Sequence, residues 1–361
     1  MKSFLQSEKF LLLAFAVAAA GYALDTQLGG YGKLVSTIET VVLISAILCA
    51  SLSVARHAER IAQRLGDPYG SMILTLSAVL VEVIVLAIVS SKGGSPTLVR
   101  DSIYSAVMLD INGILGVAAL IGGFKHGEQA YNDDSARTYS VMILTAVTVS
   151  MIIPEFVPMP DWRAYSAFTI VAMLLLYGVF LRMQTGPHSY FFSYSYPEKK
   201  TRRNLPAASP SSWRPSAAVM AAGIIAVGAL AELMSHSLDR SLKGVDVPIG
   251  LVALIVAGIS AAPEMLTALR AALANRMQSV VNIALGASLS TVILTVPAME
   301  AMALISGQRI NMAMTPVQTL MMLVTLLVAA INLNDGQTNA IEGMTHFVLF
   351  GTFLMLLGLG L

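Results

Sequence analysis

Charge is scarce in this chain of 361 residues. Lys, Arg, Asp and Glu together make up 12% of it, against 56% hydrophobic residues and a mean hydropathy of +0.74. Soluble domains carry about 25% charged residues, so the scarcity excludes an ordinary soluble fold. The formal net charge of +1 leaves no basic surface to attract nucleic acid. There is one cysteine, Cys49, in an apolar run. It can make no internal disulfide, so the redox compartment is not written in cysteine usage. No cluster of His or Cys is present, which disfavours zinc or copper, metals that prefer thiolate and imidazole. A Walker motif is also missing, so ATP is not the expected driving force, and no cofactor is expected. An intramembrane protease would need paired aspartates or a Ser/His pair within its spans, and Asp110 finds no matching second aspartate.

What the chain does have is long apolar runs. A helix needs about 20 apolar residues to cross a bilayer, and eleven candidates lie near 10–27, 36–55, 69–90, 102–123, 138–157, 164–183, 216–236, 247–269, 279–306, 315–333 and 342–361. The expected fold is an all-α polytopic membrane protein. Lys2 and Lys9 precede an apolar run from Phe10 to Leu24, and Ala18–Gly21 offers small residues as a signal peptide does. A polytopic protein keeps such a first span as an anchor, and that reading is preferred. The longest polar stretch, 184–215, holds Pro187, Pro197, Pro206, Pro210 and Pro215 together with basic residues at 199–203. It reads as a surface linker between two halves. The expected organisation is an N-terminal transmembrane helix over 1–35, a first five-helix repeat over 36–183, a cytoplasmic linker over 184–215 and a second five-helix repeat over 216–361. With the N-terminus placed in the cytoplasm, 15 Lys and Arg residues fall inside and 7 outside, which together account for all 22.

Two acidic residues stand inside long apolar helices, Glu82 and Glu264, one in each half. An ionised carboxylate deep in a bilayer costs at least ~2.5–3.5 kcal/mol, so such a residue is a functional-site hypothesis by default. Each is followed by a polar loop and a further span with polar residues at helical spacing. The first of these spans carries Ser105, Asp110, Asn112, Gly113 and Gly116, and the second Asn282, Gly286, Ser288, Ser290 and Thr291. An odd number of spans per half makes the two halves enter the membrane from opposite sides, the geometry of inverted repeats. Gly258 and Pro263 lead to the expectation of a break in the helix around Glu264, with a freed carbonyl near Ile259.

Carboxylate, amide, hydroxyl and carbonyl oxygens suit a hard cation. The candidate cation- and proton-binding set is Glu82, Glu264, Asp110, Asn112, Asn282, Ser288 and Ser290, with Glu82 and Glu264 as the direct metal ligands. A carboxyl group can be neutralised by a proton or offset by a cation, so two glutamates sharing a cavity give a physical basis for antiport. Plainer readings exist for each residue. A lone Glu can be a hydrogen-bond partner between spans, Ser and Thr commonly bond back to their own helix, and Gly113, Gly116 and Gly286 suit close helix packing. Glu232, His236 and Glu300 read either as a proton path or as interfacial charges.

Ala261–Glu264, Thr267–Asn275, Asn282–Ser288 and Pro297 in the second half resemble the calcium/proton antiporter family. The likeness is to its bacterial ChaA-like members, related to CAX exchangers, within the calcium/cation antiporter superfamily. Gly66–Gly70, Glu82, Pro96–Ser105, Gly122-Gly123, Asp335–Asn339 and Glu342-Gly343 extend the likeness over roughly residues 50 to 361. The resemblance implies one span plus two five-span repeats, with the repeat glutamates as cation and proton carriers. Two departures stand out. Ala78-Val79 and Ser260-Ala261 replace the Gly-Asn pair that many relatives place ahead of each glutamate, and the linker is basic where several relatives are acidic. The function expected is Ca2+/H+ antiport in a bacterial inner membrane, with the lipid bilayer and transported cations as its partners. Na+ or K+ exchange for protons is the runner-up, and a cation channel a third reading.

Overall fold

In the computed structural model of the protein, residues 8–28, 32–65, 69–91, 95–186, 189–192, 194, 213–242 and 247–361 are described. They form eleven helical spans. These are α1 (Lys9–Leu28), α2 (Lys33–Leu65), α3 (Tyr69–Ser91), α4 (Leu98–His126), α5 (Asp133–Phe156), α6 (Trp162–Thr185), α7 (Arg214–Leu242), α8 (Ile249–Leu273), α9 (Met277–Ser306), α10 (Pro316–Asn332) and α11 (Ala340–Gly358). Eight are long and apolar enough to cross a membrane, and α1, α3 and α10 contain shorter apolar stretches. Every expected span is present. The largest difference in length is at α2, which runs on to Leu65 through Arg56, Arg60 and Arg64. Arginine is a good helix former, so the helix outlasts its apolar window. Most of the expected linker lies outside the described residues; within it, Ser189–Phe192 forms a 3₁₀ turn.

The helix starts have local causes. Asn132 caps α5 by accepting from the Asp134 amide, and Asp133 and Asp134 occupy the positive end of the helix. Thr315 and Gln318 form a capping box at α10, with Pro316 in the first turn. Asn339 caps α11 through the amides of Ile341 and Glu342.

The helices fall into two compact units, residues 1–93 with 195–247 and residues 94–194 with 248–361. The first is built from α1, α2, α3 and α7. Its long helices α2 and α7 pack along one another, and α1 and α3 pack on both of them. The second is built from α4–α6 and α8–α11. Here α4 packs against α8 and α11, and α9 packs against α5 and α6. The approach of α4 to α11 depends on missing side chains. A Cβ at Gly116 would lie 2.8 Å from the His346 Cβ, and one at Gly343 would run into the Leu120 backbone. Small residues allow such backbone contact between membrane helices.

Loop contacts in the second unit fix the parity of its crossings. After α4, β1 (Gln129–Ala130) pairs antiparallel with β2 (Gln337–Thr338), which follows α10. Lys125 Nζ donates to the Leu273 carbonyl at the end of α8, 3.0 Å away. Asn132 Nδ2 donates to the Tyr190 carbonyl beyond α6 at 3.1 Å. On the opposite face, the Asn311 amide reaches Pro96 O and the Met314 amide reaches Met151 O, each at 2.9 Å. The ends of α4, α6, α8 and α10 therefore share one face, as strict alternation of spans requires.

Candidate cation site

Glu82 lies in the first unit, on the buried face of α3 with Val79, Val85, Leu86 and Val89, and is 6% exposed. Helical spacing puts these residues on one stripe. In the same unit, Glu232 accepts from Tyr22 Oη at 2.9 Å, which ties α7 to α1. Both Glu232 and His236 are half-buried.

The remaining candidates belong to the second unit. Glu264 is half-buried on α8, between Ala261 and Ala268 on the alanine face formed with Ala257 and Ala272. The expected break is not seen, because α8 is one continuous helix with Pro263 inside it. Proline still removes one amide donor, leaving the Ile259 carbonyl without its usual partner. Membrane helices tolerate this where neighbours or side chains re-satisfy the backbone. Hydroxyls nearby follow their own helix, with Ser260 donating to Ala257 O and Thr267 to Pro263 O, both at 2.9 Å.

The centre of α4 is a π-helical segment, Leu109–Leu115, buried throughout. Such wide turns are rare and concentrate at functional sites. A second, Thr291–Thr295, occupies the corresponding span α9, and a third, Thr148–Ile152, lies in α5. The segment in α4 carries Asp110 and Asn112 inward. Asp110 is 2% exposed and accepts a 3.2 Å hydrogen bond from Ser288 Oγ on α9. Two residues 178 positions apart are thereby joined at the middle of their spans.

Asn112 is fully buried, and both ends of its amide are engaged. Its Nδ2 donates to Thr325 Oγ1 on α10 at 2.8 Å, and its Oδ1 faces His346 Nδ1 on α11 at 2.9 Å. Asn282 is similarly committed, donating to Phe192 O and accepting from Gln278 Nε2, both at 2.9 Å. Ser290 donates back to Gly286 O at 2.6 Å. Tyr139 and Phe192 stack edge-on at 5.5 Å, and the Tyr139 hydroxyl lies 3.6 Å from where a Gly286 Cβ would be. The polar face of α9 near Asn282 is thus covered by an aromatic pair. Glu300, also on α9, is 3% exposed. One of its oxygens accepts from Ser166 Oγ on α6 at 3.4 Å, and the other has no hydrogen-bond partner among the described residues.

Sequence reasoning missed His346 and Thr325, the partners of Asn112. It also missed two buried ionic clusters in the first unit. Glu8 meets His57 Nε2 at 3.1 Å and Arg60 at 3.7 Å. Glu39 meets Arg240 at 2.9 Å and accepts from Ser237 Oγ at 3.0 Å. Only the charge of Glu39 within an apolar run signalled any of this.

A family model described as sodium/calcium exchanger protein matches residues 35–186 and 215–359. The sodium-potassium/proton antiporter ChaA of Escherichia coli (strain K12) is 32% identical over 316 residues, 86% of each chain. The Ca(2+)/H(+) antiporter ChaA of Bacillus subtilis (strain 168) is 24% identical over 339 residues, 92% of this chain and 94% of that one. Among solved structures, native YfkE superposes with a TM-score of 0.76 at 19% identity, covering 97% of this chain and 99% of that one. The H+/Ca2+ exchanger CAX gives 0.68 at 14% identity, covering 96% and 88%. At these identities the structural likeness speaks for the fold alone.

Proposed function

The chain belongs to the sodium/calcium exchanger protein family, and on that premise we propose that it is a secondary antiporter exchanging Ca2+ for protons by alternating access. The observation that carries this reading is one acidic residue in the apolar helix of each unit, Glu82 on α3 and Glu264 on α8. Each carboxylate holds either a proton or a share of the cation charge, so it stays close to neutral in both states. Coupling follows, because cation and proton compete for the same oxygens.

Asp110 and Ser288 add oxygen ligands or hold those ligands in place. Asn112, Asn282 and Ser290 have polar atoms committed to protein hydrogen bonds, which favours supporting roles for them in this conformation. Glu300, with one unsatisfied buried oxygen, is the best-supported proton-path residue, ahead of the Tyr22-bound Glu232 and His236. The excess of Lys and Arg on one side supports a cytoplasmic N-terminus and linker, and the bacterial relatives support a plasma-membrane location. The two repeats, 36–183 and 216–361, supply one carrier glutamate each.

A second reading, Na+ or K+ exchange for protons, is favoured by the printed name of the Escherichia coli relative. The test is reconstitution into vesicles holding a pH dye, with a proton gradient imposed. Ca2+ moving protons more effectively than Na+ or K+ supports the first reading, and the reverse order supports the second. Cation flux without proton movement sinks both in favour of a channel.

A further inference from the structure

His346 lies on the last helix, 234 positions from Asn112, yet the fold delivers its ring to the π-helical turn of α4. The delivery depends on Gly116, whose hydrogen leaves room for the His346 Cβ. His346 is 2% exposed, and its Nε2 has no hydrogen-bond partner among the described residues. All of its polar engagement is therefore with Asn112.

The direction of every bond in this chain follows from chemistry. A thioether sulfur can only accept, and Met108 Sδ faces both Thr325 Oγ1 at 3.6 Å and Asn112 Nδ2 at 3.7 Å, so each turns a hydrogen toward it. The Thr325 oxygen then accepts from Asn112 Nδ2. That fixes the amide with Oδ1 toward His346, so the imidazole nitrogen facing it, Nδ1, carries the hydrogen and donates. The sequence His346 → Asn112 → Thr325 → Met108 ties α11, α4 and α10 at one buried point. Two residues before Asn112, in the same wide turn, stands Asp110 with its bond from Ser288.

We propose that His346 is a positioning residue for the cation site: by donating from Nδ1 to Asn112 it locks the π-helical turn of α4 in the register that holds the Asp110 carboxylate against Ser288. The inference rests on the antiport reading for its functional consequence, and on the hydrogen-bond chain for its geometry. His346 does not touch the cation. It acts as groups behind metal ligands do, whose loss costs about 10- to 100-fold in affinity.

Two side chains separate this role from simple packing. Asparagine at 346 places a donor where Nδ1 stands, whereas glutamine places one where Nε2 stands. H346N is expected to keep cation affinity within about twofold of the parent, and H346Q and H346A to lose about tenfold with maximal exchange rate nearly unchanged, H346A alone also lowering thermal stability because it opens a cavity. The losses in T325V and H346A should be non-additive, because both free the same amide. Binding of Ca2+, and separately of Na+, to the purified protein is measured by calorimetry beside vesicle exchange. Equal behaviour of H346N and H346Q, or an unchanged H346A, would overturn the proposal. So would equal losses in rate, stability and affinity across all three variants. A parent that binds cation but moves no protons defeats the antiport reading and leaves the His346 comparison readable by binding. A parent that binds neither cation defeats both.

Discussion

The two units differ at mid-span, although both hold a buried ion pair near a helix end, in the second Arg100 with Asp101 at 2.8 Å. In the first, the buried polar contacts are ionic and sit near helix ends: Glu8 with His57 and Arg60, and Glu39 with Arg240. Between them the helices are largely apolar, with Glu82, the Tyr22–Glu232 bond and His236 as the main polar exceptions. In the second unit, the polar contacts at mid-span join Asp110 to Ser288 and Asn112 to Thr325 and His346. All the π-helical turns among the described residues belong to this unit. Charge pairs at helix ends fasten long helices together. Amides, hydroxyls and a carboxylate at wide turns place polar groups in the middle of a span.

The largest effect should come from the carboxylates common to both units. E82Q and E264Q keep the size of each side chain and remove its exchangeable charge. Each is expected to abolish cation-driven proton movement in vesicles while the purified protein still runs as a folded species on size exclusion. Full transport in either variant would remove that residue from the carrier role. Next comes D110N, expected to weaken apparent cation affinity by about 10- to 100-fold. S288A, which removes only the donor to Asp110, should cost several-fold less. Equal effects would mean that Ser288 is itself a ligand.

A change in the first unit should move stability and leave affinity alone. R240M strands the Glu39 carboxylate against Ser237, and a buried polar group losing its partner costs about 1–3 kcal/mol. A lower Tm with unchanged cation affinity is the expected pair of results. A large affinity loss from R240M would erase the distinction between fastening contacts and binding residues. The smallest effect is a sidedness label, in a background with Cys49 replaced. A cysteine at Ser209, outside the described residues, should react from the cytoplasmic side only, and one at Ser241 only from outside, with transport unaffected. The reverse pattern would invert the assigned orientation.

All eleven spans were legible in the sequence, because hydropathy over about 20 residues is a one-dimensional property. Glu82 and Glu264 were legible for the same reason, being acidic residues in apolar windows. The π-helical turns were not, since Leu109–Leu115 reads as ordinary helix and an extra residue in a turn has no local signature. Pro263 was read as a break, yet the rest of α8 holds the helix together around one missing amide. His346 was invisible because a single histidine on an apolar helix has no local signature. Its meaning comes from a partner 234 positions away and from a glycine that lets two backbones close together.

The central claim is that protons and cation compete for the same intramembrane carboxylates. Its most direct test is apparent cation affinity measured in vesicles from pH 6 to 9. Protons hold the carboxylates at low pH, so affinity must fall as pH drops. Each displaced proton contributes a factor of ten, giving up to ~100-fold per pH unit for a divalent cation displacing two protons and ~10-fold for a monovalent cation displacing one. A slope between these limits supports shared-site exchange and reports its stoichiometry. An affinity flat across the whole range would contradict it, and would assign the protons a path separate from Glu82 and Glu264.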